Sequence, residues 1–108
     1  MSKITEKQLL IDKIVESIQD TKGEDILVFD LTSIENAAAE TFIICSGNSN
    51  TQVSAIAGNI QKNVRNDLND RPWHVEGTEN SMWVLVDYVS VVVHIFQKEI
   101  REYYDIEE

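Results

Sequence analysis

Apolar residues recur along the chain with three different periods. Leu10, Ile11, Ile14, Val15 and Ile18 fall at helical spacing. Thr5-Glu6-Lys7-Gln8 precedes them as a capping box, and Gly23 follows as a stop signal. This predicts a first amphipathic helix over Glu6 to Asp20. "DILVFDL" (Asp25 to Leu31) and "TFIICS" (Thr41 to Ser46) are nearly continuous apolar runs. They read as strands covered on both faces or central in a sheet. "SIENAAAE" between them is a connector with room for one helical turn. Helical spacing returns at Val53, Ile56, Ala57, Ile60 and Val64, from a start near Asn50 to a break enforced by Pro72. "WHVEG" is a short strand closed by Gly77. "MWVLVDY" and "VSVVVHIF" form a hairpin, and "KEIREYY" a short C-terminal helix.

Helices separate the strand groups, so at least one strand pairing should be parallel. The expected fold class is α/β, with a mixed sheet of about five strands and helices packed mainly on one face. The chain is short enough for a single domain over residues 1–108.

Strand side chains alternate between faces. Val84, Val86, Val91, Val93 and Ile95 form one wholly apolar set, which Trp73 and Val75 should continue toward the helices. Trp83, Leu85, Asp87, Val92, His94 and Phe96 form the other, with His74 and Glu76 beside them. Two long helices cover one face of a small sheet, so this mixed set should be exposed. Aromatic and apolar groups exposed together mark an interaction surface. The alternative is that "KEIREYYDIEE" folds over them.

Charge narrows the partners. The net charge is -10, the opposite of the basic surface that phosphate contacts require. Basic proteins are the better electrostatic match. Cys45 is the only cysteine, sits in an apolar run and reads as a buried thiol. No apolar stretch reaches membrane-spanning length, and the first residues carry no signal-peptide or transit character. A cytoplasmic protein is expected.

Candidate chemistry is sparse. "SGNSNTQV" follows a strand and leads into a helix, as a phosphate loop does. It lacks the Walker lysine and two of the three dinucleotide-loop glycines. Ser49 and Gln52 instead match a capping box. His74, Glu76 and His94 contain the residue types of a non-haem iron set, without other marks of such a site. No catalytic residue, metal or cofactor is assigned.

"EDILVFDL", "TFIICSGNSNTQVSAIAGNI", "HVEG", "WVLVDY" and "VVVHIFQKEIREYYDIE", in this order and spacing, resemble the ribosomal silencing factor family, also called Iojap-like. The resemblance implies a nucleotidyltransferase-like fold whose Gly-Ser position here reads Ser46-Gly47. The metal-binding Asp-x-Asp pair of such enzymes is absent, so a non-enzymatic protein is expected. A nucleotide-binding enzyme is the alternative. The family binds large-subunit ribosomal protein L-fourteen, blocks joining of the subunits and represses translation under nutrient limitation. Some members dimerise when free. The patch expected to meet a partner is Glu76, Trp83, Leu85, Asp87, Tyr88, His94 and Phe96, with aromatic anchors and paired carboxylates. Neither membrane nor sequence-specific nucleic-acid binding is expected. The family commonly has Asp-Tyr where this chain has Glu40-Thr41, Gly where it has Val89, and His-Pro where it has Gln97-Lys98. Val89 is a poor residue for positive φ.

Overall fold

The computed structural model describes residues 6–32 and 39–104. The Thr5 cap, most of the connector after Leu31 and the last four residues lie outside them. The element order is α1 (Glu6–Asp20), β1 (Glu24–Asp30), β2 (Thr41–Gly47), α2 (Asn50–Leu68), β3 (His74–Glu76), β4 (Trp83–Asp87), β5 (Val91–Gln97) and α3 (Lys98–Tyr104). The strands form one sheet in the order β1-β2-β5-β4-β3. β2 and β5 run parallel, and every other neighbouring pair is antiparallel. No described helix is long and apolar enough to cross a membrane.

The long helices lie side by side on one face, as the periodicity requires. Leu10, Ile14 and Ile18 of α1 meet Val53, Ile56, Ile60 and Val64 of α2 over Ile43, Val84, Val86, Val93 and Ile95. Water is excluded from this layer, and its burial is the main stabilising term. Ser17 is buried within it without being orphaned. Its hydroxyl donates to the Lys13 carbonyl at 2.7 Å and accepts from Asn63 Nδ2 at 2.9 Å.

Helix ends follow local chemistry. At the end of α1 the left-handed residue is Lys22 (φ 64), not Gly23. The amides of Lys22 and Gly23 donate to the carbonyls of Gln19 and Ile18, a Schellman arrangement. Ser49 caps α2, accepting from the Gln52 amide at 3.1 Å. Gln52 Oε1 accepts from the Asn48 amide, and its Nε2 donates to the Lys22 carbonyl at 2.9 Å. One side chain thus ties the start of α2 to the end of α1. The "SGNSNTQV" segment is a turn and a cap, as its composition predicts.

Three expectations are corrected. β1 is not covered on both faces: it is an edge strand, and Leu27 and Val28 are exposed. Its pairing slips between Glu24 and Leu27, where Asp25 takes φ 52. A bulge of this kind is a common edge feature. Trp73 does not join the helix-facing set. Its amide donates to the Asp87 carbonyl at 2.7 Å, but the side chain leaves the sheet and Trp73 is 75% exposed. The third concerns the far face of the sheet, which is closed further than expected.

Candidate functional site

The second face is built in rows across the strands. Paired residues place Phe29, Phe42, Val92, Asp87 and His74 in one row, and Leu27, Ile44, His94, Leu85 and Glu76 in the next. Ser46, Phe96 and Trp83 form a third. The contribution of β2 was not anticipated, although alternation along "TFIICS" puts Phe42, Ile44 and Ser46 on one side. The parallel pairing with β5 sets them beside His94 and Phe96.

Burial on this face is graded. Phe96, Ile44, Ser46 and His94 are buried, so the expectation that the whole mixed set faces water does not hold. Trp83, Leu85 and Asp87 of β4 are half-buried, while His74 and Glu76 of β3 are exposed. α3 closes the β2 side. Arg101 Nη1 donates to Ser46 Oγ at 2.7 Å and to the Asp25 carbonyl at 2.8 Å. Ser46 is thus held in a structural contact with Arg101.

Trp83 bridges the closed and open parts. Its ring stacks on Phe96 with centroids 4.7 Å apart, and its indole N–H donates to His94 Nδ1 at 3.1 Å. Indole only donates, so Nδ1 must accept and the neutral ring carries its proton on Nε2. That nitrogen is buried without a partner. Burial pushes the His94 pKa below its ordinary value. Phe42 packs on the same imidazole, with centroids 5.1 Å apart.

The expected patch is brought together in part. Trp83, Leu85, Asp87 and Glu76 form a continuous half-open surface, and His94 and Phe96 lie beneath it as its support. Tyr88 departs from it. By alternation it shares a side with Val84 and Val86, and it is 6% exposed within the helix-facing core. Asp87 has a local role as well: its Oδ1 accepts from the Val89 amide at 2.7 Å in the hairpin turn. Val89 takes φ 76 despite its branched side chain, and the Ser90 amide donates to the Tyr88 carbonyl at 3.0 Å. The pair makes a tight γ-type turn.

The iron set does not assemble. His74 Nε2 meets Glu76 Oε1 at 2.7 Å, but His94 lies two strands away, beyond Leu85, and is engaged by Trp83. Among the described residues no three His, Cys, Asp or Glu side chains are grouped to hold a metal ion. Cys45 is buried, and burial pushes its thiol up to about 12, far from the range of a nucleophile.

The family model described as "Ribosomal silencing factor during starvation" matches residues 4–108. The ribosomal silencing factor of Bacillus subtilis is 43% identical over 82% of this chain and 73% of its own length. That of Halalkalibacterium halodurans is 38% identical over 93% of this chain and 84% of its own. A crystal structure of a Chromobacterium violaceum protein superposes with a TM-score of 0.89 at 35% identity, covering 95% of this chain and 84% of that one. Fold and match over nearly the whole chain agree, and the chain belongs to the ribosomal silencing factor family.

Proposed function

We propose that this protein binds the large ribosomal subunit through ribosomal protein L-fourteen and so prevents the small subunit from joining. Translation is thereby repressed when nutrients are scarce. The observation that carries the reading is the half-open face of β3 and β4, where Trp83, Leu85 and Asp87 follow one another along β4 and Glu76 stands across from Leu85. An aromatic anchor with acidic neighbours suits a basic protein surface. The net charge of -10 would favour encounter with such a surface. The protein acts without a catalytic step, in the cytoplasm, and the same face would serve a homodimer when no ribosome is bound.

The test is subunit joining followed by light scattering. Purified small and large subunits are mixed with and without the protein, and pull-down with isolated L-fourteen is run beside them. Inhibition of joining together with L-fourteen capture is expected, weakening as salt is raised. Unimpeded joining at saturating protein would refute the reading. Inhibition without L-fourteen capture would move the contact elsewhere on the subunit.

A further inference from the structure

The two edges of the sheet differ. β3 offers three residues at one of them, and β1 offers seven at the other. Long edges are ordinarily guarded by Lys, Pro or a bulge against pairing with another chain. β1 contains neither Lys nor Pro. It is guarded at its start, where the bulge lies and Arg101 holds the Asp25 carbonyl. From Leu27 onward it pairs regularly with β2, and the Leu31 amide then donates to the Glu40 carbonyl at 2.7 Å. Backbone groups alternate in direction along an antiparallel strand. Leu31, Phe29 and Leu27 therefore turn theirs toward β2. The amides and carbonyls of Val28 and Asp30 are left on the open edge.

This edge borders a groove of about 530 Å³ between β1 and α1. Its apolar lining is Ile11, Val15 and Val28, of which Val28 is 48% exposed. Asp12, Glu16 and Asp30 line it as well, against one base, Lys7. Lys7 is drawn to Glu40 at 3.7 Å, and Lys13 meets Glu16 at 3.3 Å. Among the described residues neither Asp12 nor Asp30 has an ion-pair partner. An open strand edge beside an apolar groove is suited to strand addition, in which main-chain bonds give affinity and alternate side chains give specificity.

We propose that β1 accepts an extended basic segment of another protein as a sixth strand of the sheet. An apolar side chain of that segment enters the groove beside Val28, and basic side chains on either side of it meet Asp30 and the α1 carboxylates. A second copy of this chain is the poorer occupant. Antiparallel pairing of β1 with its own copy sets two α1 helices side by side on one face. Asp12 and Glu16 would then approach their equivalents, in molecules that each carry a net charge of -10. The site lies at the sheet edge away from β3 and β4 and does not rest on the ribosomal reading.

The test titrates the isotope-labelled full chain with a blocked peptide of alternating lysine, threonine, valine, threonine and lysine, at constant ionic strength. Saturable shifts are expected at Ile11, Val15, Val28 and Asp30, with slowed hydrogen exchange at the Val28 and Asp30 amides. A peptide with glutamate for both lysines, and one with N-methylated backbone amides, should not saturate. Val28→Lys should weaken binding about ten-fold or more, the scale of one aliphatic side chain. Asp12→Asn with Asp30→Asn should weaken it roughly three-fold, and Glu102→Gln, on α3, should leave it unchanged. Shifts that do not saturate overturn the proposal, as does equal binding of the N-methylated or the glutamate peptide. So does full affinity in Val28→Lys or, should that variant not fold, in the Asp12 and Asp30 double variant. Protection of the Val28 and Asp30 amides that rises with protein concentration, without peptide, would give the edge to a second copy and overturn it too.

Discussion

The two faces of the sheet are built from neighbouring residues of the same strands, yet they are finished differently. The helix side carries aliphatic groups from β2, β4 and β5 and is sealed by α1 and α2. The far side carries aromatic rings, an imidazole and carboxylates, and is sealed by α3 near β2 while β3 and β4 remain partly open. Closely packed aliphatic layers suit stability, since every lost methyl group leaves a cavity. A graded aromatic face suits recognition, since its outer rings sit on a fixed support. Phe96 and His94 hold Trp83 in place through a stack and a hydrogen bond. Preorganisation of this kind lowers the ordering cost of binding.

The contrast can be broken most strongly at the core. Ile60→Ala should destabilise the fold by about 2–5 kcal/mol, read by urea unfolding, and should affect binding only through the folded fraction. Next comes the open face. Trp83→Ala with Asp87→Lys should weaken large-subunit binding by roughly thirty-fold or more, a hot-spot effect, while circular dichroism shows a folded protein. A loss of folding in that variant equal to Ile60→Ala would erase the distinction between the faces.

His94 tests the support beneath the open face. Its folded-state pKa lies below the ordinary 6.5 because burial disfavours the charged ring. As pH falls through that value, the unfolded chain takes up a proton before the folded one does. Stability from this group is therefore complete above about pH 6.5 and declines below it, by at most about 1.4 kcal/mol per pH unit. His94→Gln should flatten that slope in denaturation curves measured between neutral and mildly acid pH. An unchanged slope would mean that His94 is not the buried neutral group described.

The smallest effect is expected at the turn. Val89 is 62% exposed and strained at φ 76. Val89→Gly should raise stability by about 1 kcal/mol, strain relief less the entropy of glycine. A lower melting temperature would show that the Val89 side chain contributes more than its conformation costs.

What the sequence discloses follows the same division. The spans of α1 and α2 and the sealed aliphatic set were legible, because a buried stripe imposes its period on neighbouring residues. The edge position of β1 was not. "DILVFDL" is as apolar as a central strand, and strand order depends on pairing between distant segments. Trp73 matched the alternation but lies one residue before β3, outside its paired register. Tyr88 was grouped with the contact patch through the family resemblance, although alternation with Val84 and Val86 already pointed to the core. The open patch itself was legible from the mixed character of β4. Its support was less so, since Ile44, Ser46 and Phe42 join His94 and Phe96 only through the β2–β5 pairing. The φ of Val89 ran against its residue type, because the bond from the Tyr88 amide to the Val91 carbonyl forces the chain to turn there.

The central claim is that recognition resides on the open face of β4 while the fold rests on the other. Co-sedimentation with isolated large subunits tests it most directly, using wild type and Trp83→Ala with Asp87→Lys at equal folded concentration. Wild type should pellet with the subunits and the variant should remain in the supernatant. A folded variant that pellets as wild type does would contradict the account.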